Sequence, residues 1–291
     1  MPKAVYGEAW SSTASVRFNR FMTSLLRDWA CKIRAAQSAG SSLTSLTEMK
    51  EAFLVEAHRV LTIHFGKPPT SFTFEFNDKD KKLHRFEACT PMSFLNEHVP
   101  YVVGDQVSLI NDPRNPYYKA YTVQSLGNVV GGKPVFYINV PIGELKKYTL
   151  ETLKDDVPVW FGCDVGKHFN RARQTMDSEQ FDYDLVFGTK PTQSKADRLR
   201  YGQSLMTHAM VFTGADVAPD ATVPRRWRVE NSWGDDTGDK GFALLTDAWF
   251  DEYMYQVVVD KSRFAADEQL MKCLDMEPIV LPAWDPMGAL A

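Results

Sequence analysis

The sequence predicts an α+β fold on three observations: two long amphipathic helical patterns near the N-terminus, a two-residue alternation of phenylalanines after them, and many short apolar segments from about residue 105 onward. With 291 residues, 44% of them hydrophobic and 24% charged, the chain can build one large or two modest domains with real cores.

Residues 14–38 set Val16, Phe18, Phe21, Met22, Leu25, Leu26, Trp29 and Ile33 at spacings of three and four, which is one face of a helix, and Gly40 is its stop. A second helix is expected to open on Ser45-Leu46-Thr47-Glu48, which has the form of a capping box, and to close at Gly66 ahead of Pro68. Its stripe is Met49, Phe53, Leu54, Ala57, Val60, Leu61 and Phe65. Phe72, Phe74 and Phe76 alternate with polar residues as a half-buried strand does; Asp78 to Lys82 turns the chain, and Leu83 to Ala88 returns as its partner. Thr90-Pro91 starts a short helix through Glu97.

The later apolar segments are Val107 to Ile110, Tyr121 to Val123, Val135 to Ile138, Val157 to Phe161, Met210 to Thr213, Trp227 to Asn231, Phe242 to Leu245 and Tyr255 to Val259. Gly, Pro and Asn separate them, so they predict an antiparallel sheet or barrel, interrupted by one helix over Ile142 to Leu153. The end, Pro282 to Ala291, carries two prolines and a glycine and is expected to be extended.

A net charge of −4 gives no broad basic footprint, so nucleic acid is not suggested as a partner. No apolar run approaches the roughly 18 residues that span a bilayer, and the N-terminus lacks a secretory pattern. Four scattered cysteines without a Cys-x-x-Cys pair predict free thiols in a reducing, cytoplasmic setting, with no metal site and no cofactor. Asp235 to Asp239 lacks the alternating ligands and distant glutamate of a calcium loop, and Gly131-Gly132-Lys133 lacks the rest of a phosphate-binding loop.

His208 lies in Leu205-Met206-Thr207-His208-Ala209-Met210-Val211-Phe212, and Asn231 ends Arg226-Trp227-Arg228-Val229-Glu230-Asn231, 23 residues later. Both segments read as strands. A Cys/His amide hydrolase needs a thiolate, an imidazole to relay the proton and a third group to fix the ring. His208 and Asn231 can supply the last two, with Trp233 covering their bond from water. By spacing alone the pair fits better as a core histidine and a turn asparagine ahead of Gly234.

Longer motifs add to this. Trp160-Phe161-Gly162-Cys163-Asp164-Val165-Gly166-Lys167-His168-Phe169, Leu205 to Met210, Trp227-Arg228-Val229-Glu230-Asn231-Ser232-Trp233-Gly234, Tyr255 to Asp260 and Leu281 to Ala291 together resemble the bleomycin hydrolase family of papain-like cysteine aminopeptidases. The resemblance assigns His208 and Asn231 to the family's catalytic histidine and asparagine. It also implies that Met1 to Glu8 lies past the family's nucleophile, so that the chain corresponds to the C-terminal part of a longer enzyme. None of the cysteines matches that nucleophile: Cys31 sits inside a helical pattern, Cys89 precedes a helix start, Cys163 lies in a loop like one lining the family's cleft, and Cys273 falls in a helical stretch.

The fold so implied is an incomplete papain-like cysteine peptidase fold. Residues 1–104 would form a helical hook insertion with a β-hairpin, residues 105–265 an antiparallel β-barrel half-domain carrying His208 and Asn231, and residues 266–291 a helix and a cleft-inserting tail. The terminal carboxylate of Ala291 would meet the substrate's α-amino group. Peptides would be the substrates, and a homo-oligomer would form through the hook. The alternative is a non-catalytic relative or truncated fragment acting through oligomer contacts.

Overall fold

The computed structural model describes residues 15–99, 101–127, 129–219 and 223–290. The chain divides into two compact units, Met1–Tyr101 and Val102–Ala291.

The first unit opens on two 23-residue helices, α1 (Val16–Ser38) and α2 (Leu43–Phe65). They meet through rings: Trp29 stacks on Phe53 with centroids 5.3 Å apart, and Phe18 meets Phe65 edge-on at 5.0 Å. Only Phe18 and Trp29 of these helices are buried, so much of the apolar stripe, including Val16, Phe21, Leu26, Leu54, Leu61 and Phe65, stays exposed, as do Leu43, Val55 and Ile63 outside it. The start of α2 falls earlier than the capping-box pattern at Ser45 predicts. Ser42 is the N-cap, its side chain accepting from the Ser45 N–H, while Thr47 bonds back to the Leu43 carbonyl. A serine three residues upstream offered the same capping chemistry.

Strands β1 (Phe72–Asn77) and β2 (Leu83–Cys89) form the expected antiparallel hairpin, closed by Asp78, whose carboxylate accepts from the Asp80 and Lys82 N–H groups. Helix α3 (Pro91–His98) begins at the Thr90 cap and lays Phe94 on Phe74 at 4.9 Å.

The second unit is built on one sheet. Its strands are β3 (Gln106–Ile110), β4 (Lys119–Val123), β5 (Tyr137–Asn139), β6 (Val159–Cys163), β7 (Phe169–Asn170), β8 (Thr175–Met176), β9 (His208–Asp216), β10 (Arg226–Glu230), β11 (Phe242–Thr246), β12 (Met254–Asp260) and β13 (Ile279–Leu281). They pair in the order β13-β4-β5-β3-β12-β6-β9-β10-β11-β8-β7. Three pairings, β13 with β4, β3 with β5 and β11 with β8, are parallel, where the alternating pattern predicts only antiparallel ones. Each parallel pair joins segments that are not successive strands, and such pairing is not encoded in local turn signals.

Alternation puts successive residues on opposite faces. Leu109 and Ile138 join one apolar cluster with Val159, Phe161, Phe212, Trp227, Trp249, Phe250 and Val257. Their neighbours Ile110 and Tyr137 join the other, with Tyr121, Met206, Tyr255, Leu281 and Met287. Helix α4 (Ile142–Lys154) covers the first cluster through Leu145 and Tyr148. Short helices α5 (Tyr183–Phe187), α6 (Lys195–Arg200), α7 (Asp247–Tyr253) and α8 (Glu268–Cys273) complete the unit. The first three are too brief for a helical period to stand out in the sequence.

Candidate active site

Strand β9 begins at His208, and the residues before it are tied down one by one. Ser204 Oγ donates to Asp164 Oδ2 at 2.8 Å and shares a 2.6 Å bond with the Tyr255 hydroxyl. The Leu205 N–H reaches the same carboxylate oxygen at 3.4 Å, the Met206 N–H donates to the Pro286 carbonyl at 3.1 Å, and the Thr207 N–H donates to the Cys163 carbonyl at 2.9 Å. Asp164, Ser204 and Tyr255 are all buried. With the Thr207 hydroxyl also reaching Asp164 Oδ1 at 3.4 Å, three donors account for a carboxylate at this depth, since an unpaired one would be strongly penalised. No local sequence pattern marks this cluster, because Asp164 and Ser204 stand 40 positions apart.

The residues singled out by the motif do meet. His208 Nε2 lies 3.0 Å from Asn231 Oδ1. The Ser232 N–H donates to the same oxygen at 2.8 Å, which fixes the amide's orientation. An oxygen facing the ring makes Nε2 the protonated nitrogen and leaves Nδ1 free to accept a proton. Asn231 stands immediately past β10, which pairs with β9 in antiparallel register, so strand pairing brings the two residues together. Trp233 lies over the imidazole with centroids 5.2 Å apart, Phe169 lies 5.8 Å from Trp233, and Arg171 sits over the indole at 5.9 Å. Trp233 remains 37% exposed, so it covers the pair from one side only.

Cys163 is the register partner of His208 across β6 and β9. It lies at a strand end, not in the loop expected for it, and it is fully buried. Burial pushes its thiol well above the ordinary cysteine value, with the Asp164 charge adding to the effect. A thiol so placed is a packing group, not a ready thiolate. Cys89 and Cys273 are also buried, and Cys31 is exposed on α1. Among the described residues no group of three or more His, Cys, Asp or Glu side chains is arranged to hold a metal ion.

The chain end runs beside this region. Leu281 closes β13 against Val123, and Asp285 then caps a single 3-10 turn at Pro286–Gly288, where a fully extended tail is expected from the prolines. The Asp285 side chain accepts from the Met287 N–H at 2.9 Å, which is the interaction that tightens the turn. Arg114 donates to Asp285 at 2.9 Å and to the buried Asp112 at 2.8 Å. Met287 is fully buried. Leu290 approaches Gly162, where an added Cβ would come within 3.0 Å of it and within 2.5 Å of Met206 Sδ. Ala291, expected to anchor a substrate's amino group, lies outside the described residues.

The Peptidase C1-like family model matches residues 1–288. Rat bleomycin hydrolase is 44% identical over 299 residues, which cover 100% of this chain and 65% of that protein. Human bleomycin hydrolase is 42% identical, with the same two shares. Aminopeptidase C of Streptococcus thermophilus is 41% identical over 293 residues, again 100% of this chain and 65% of the relative. The crystal structure of PepW from Lactobacillus rhamnosus HN001 superposes with a TM-score of 0.90 at 41% identity, covering 100% of this chain and 66% of that one. The chain thus spans about two thirds of the length of the relatives it matches. With the sheet, the His208 to Asn231 pair and these matches in hand, the papain-like fold implied by the motifs holds, and the chain belongs to the Peptidase C1-like family.

Proposed function

We propose that this chain is the histidine- and asparagine-bearing portion of a cysteine-type aminopeptidase that hydrolyses peptide bonds from the N-terminus. The observation that carries the reading is the 3.0 Å bond from His208 Nε2 to Asn231 Oδ1, which leaves Nδ1 as the free base. In the reaction a thiol gives its proton to His208 and the thiolate attacks the scissile carbonyl. His208 then returns the proton to the departing amine, and water releases the acyl group. Asn231 holds the ring through both steps, and Trp233 shields the bond. The nucleophile is none of the four cysteines of this chain; the burial of Cys89, Cys163 and Cys273 supports that reading. The terminal carboxylate of Ala291 would pair with the substrate's α-ammonium, a role supported by the approach of Leu290 to Gly162, next to the strand pair that carries His208.

The test replaces the matching part of the Streptococcus thermophilus aminopeptidase C with this chain and follows hydrolysis of an aminoacyl arylamide. The chimera should turn over, and His208→Ala should lower kcat/KM by about 1000-fold or more. Asn231→Ala should cost about tenfold to a hundredfold, less than loss of the base itself. Undiminished turnover in His208→Ala would sink the assignment. The 291-residue chain alone should be inert; His208-dependent hydrolysis by it would make one of its own cysteines the nucleophile.

A second reading concerns assembly: the α1–α2 hairpin is the hook through which copies associate in the cytoplasm. It is favoured by Leu43, Val55 and Ile63, which stand 81%, 70% and 59% exposed on otherwise ordered helices. Val55→Asp should shift a light-scattering mass to the monomer, and an unchanged mass would reject the hook as the contact.

A further inference from the structure

A groove apart from His208 and Asn231 remains unassigned. It has two overlapping lobes, of about 550 and about 620 Å³, that share a wall containing His168, Phe181, Tyr183, Arg198 and Tyr253. Those sizes fall within the range of ordinary ligand pockets. We propose that this groove binds a short zwitterionic peptide through its two charged ends and one aromatic side chain. The proposal is independent of the peptidase reading, since none of the lining residues is His208, Asn231 or Trp233.

The charges argue for a zwitterion. One lobe adds Glu179, Asp182 and Glu252 to the shared wall. The other adds Lys167 and, among the described residues lining it, no carboxylate. On the shared wall Arg198 is already paired with Glu252, and Lys190 with Asp184 at 2.9 Å. Asp182 Oδ1 caps α5 by accepting from the Leu185 N–H at 3.0 Å, so Glu179 is left as the main carboxylate to face an ammonium at one end, and Lys167 faces a carboxylate at the other. A peptide of two or three residues separates its termini by about 3.5 Å per residue, whereas a free amino acid carries both charges on one carbon.

The rings argue for an aromatic side chain. Phe181 and Tyr183 lie 6.1 Å apart and keep 45% and 37% of their surfaces exposed. His168 stacks on Tyr253 at 5.6 Å and meets Tyr183 edge-on at 6.1 Å. An inserted ring would complete the set at the offset and edge-on distances that aromatic groups favour.

His168 adds a donor. Its φ is +48°, a left-handed conformation uncommon for a side-chain-bearing residue and one that gathers at functional sites. Its Nδ1 is buried without a hydrogen-bond partner among the described residues. Burial, then the nearby Arg198 and Lys167 charges, lowers its pKa and keeps the ring neutral. With no acceptor for Nδ1, the proton belongs on Nε2, which makes that edge the ring's donor.

The test titrates the 291-residue chain with Gly-Phe-Gly and follows the His168 imidazole by NMR, its signal assigned by loss in His168→Asn. We expect a saturable shift with Kd of about 1 mM or tighter. Acetylating the amine or amidating the carboxylate should each weaken binding about threefold to tenfold, and Gly-Ala-Gly should give no saturation. Glu179→Gln should weaken the free-amine peptide but not the acetylated one. Tyr183→Ala should weaken Gly-Phe-Gly where Tyr183→Phe does not, while His208→Ala leaves the shift intact. No saturation by Gly-Phe-Gly, equal affinity of the capped peptides, or loss of the shift in His208→Ala would each overturn the proposal. The peptide series requires no variant, so it decides even where a substitution disturbs folding.

Discussion

Asn231 uses one oxygen twice, toward His208 Nε2 at 3.0 Å and toward the Ser232 N–H at 2.8 Å. The second bond makes the first directional, because a rotated amide would turn its NH2 toward the backbone donor. Both residues were legible in the sequence through the Thr207-His208-Ala209 and Asn231-Ser232-Trp233-Gly234 segments. What the sequence lacked was the backbone partner that selects the amide's orientation. At this scale His168 also makes a pH prediction. Its folded-state pKa is lowered, so the unfolded chain takes up the proton first as pH falls. The stability that the neutral ring contributes is whole above about 6.5, the unfolded value, and declines as pH drops from there through the lower folded value. Thermal melts of the wild type should therefore lose stability over that window more steeply than melts of His168→Asn, which keeps a residue tolerant of positive φ. Parallel curves for the two proteins would contradict it.

Among the elements, periodic stretches were legible and short or tethered ones were not. Helix α4 and strands β3, β10, β11 and β12 lie within two residues of the ends their apolar patterns predict, because alternation and the 3.6-residue period are local properties. The parallel pairing of β13 with β4 and the 204–207 segment depend on partners far along the chain. That segment yields an element-scale prediction. Asp164→Ala leaves the Ser204 hydroxyl with the Tyr255 hydroxyl alone and takes the carboxylate acceptor from the Leu205 N–H and the Thr207 hydroxyl, at about 1–3 kcal/mol for a buried group left unsatisfied. The variant should lose about 3 kcal/mol in urea melts and move the His208 imidazole resonances. Ser204→Ala, which removes one hydroxyl from the same cluster, should lose about half as much. Unmoved His208 signals in a folded Asp164→Ala protein would show that the anchoring does not reach the ring.

Across the whole molecule, Leu281, Asp285 and Met287 near the chain end are part of the core and not an appendage. Met287 is fully buried, and Asp285 shares Arg114 with Asp112. The Asp112 and Asp285 carboxylates raise the Arg114 pKa against the opposing cost of burial, so the guanidinium stays charged inside the trio. Replacing it strands two buried carboxylates, which costs about 3–5 kcal/mol when one member of such a set is removed. Arg114→Met should therefore melt well below the wild type, and carboxypeptidase should trim its C-terminus sooner, as read by intact mass. Equal trimming of the two proteins would show that the tail is held elsewhere. The α+β class was legible because the two long amphipathic helices α1 and α2 stand apart from the strand-rich stretch that follows, whereas the 3-10 turn at Pro286 was hidden by prolines that favour extended backbone. The tether from the Met206 N–H to the Pro286 carbonyl, two residues before His208, also has a meaning in time. During synthesis β9 and its neighbours can emerge and pair long before residue 286 exists, yet that contact must wait for nearly the entire chain. The imidazole would thus be aimed late in folding, and slow amide exchange at Met206 would mark the moment when the last turn has docked.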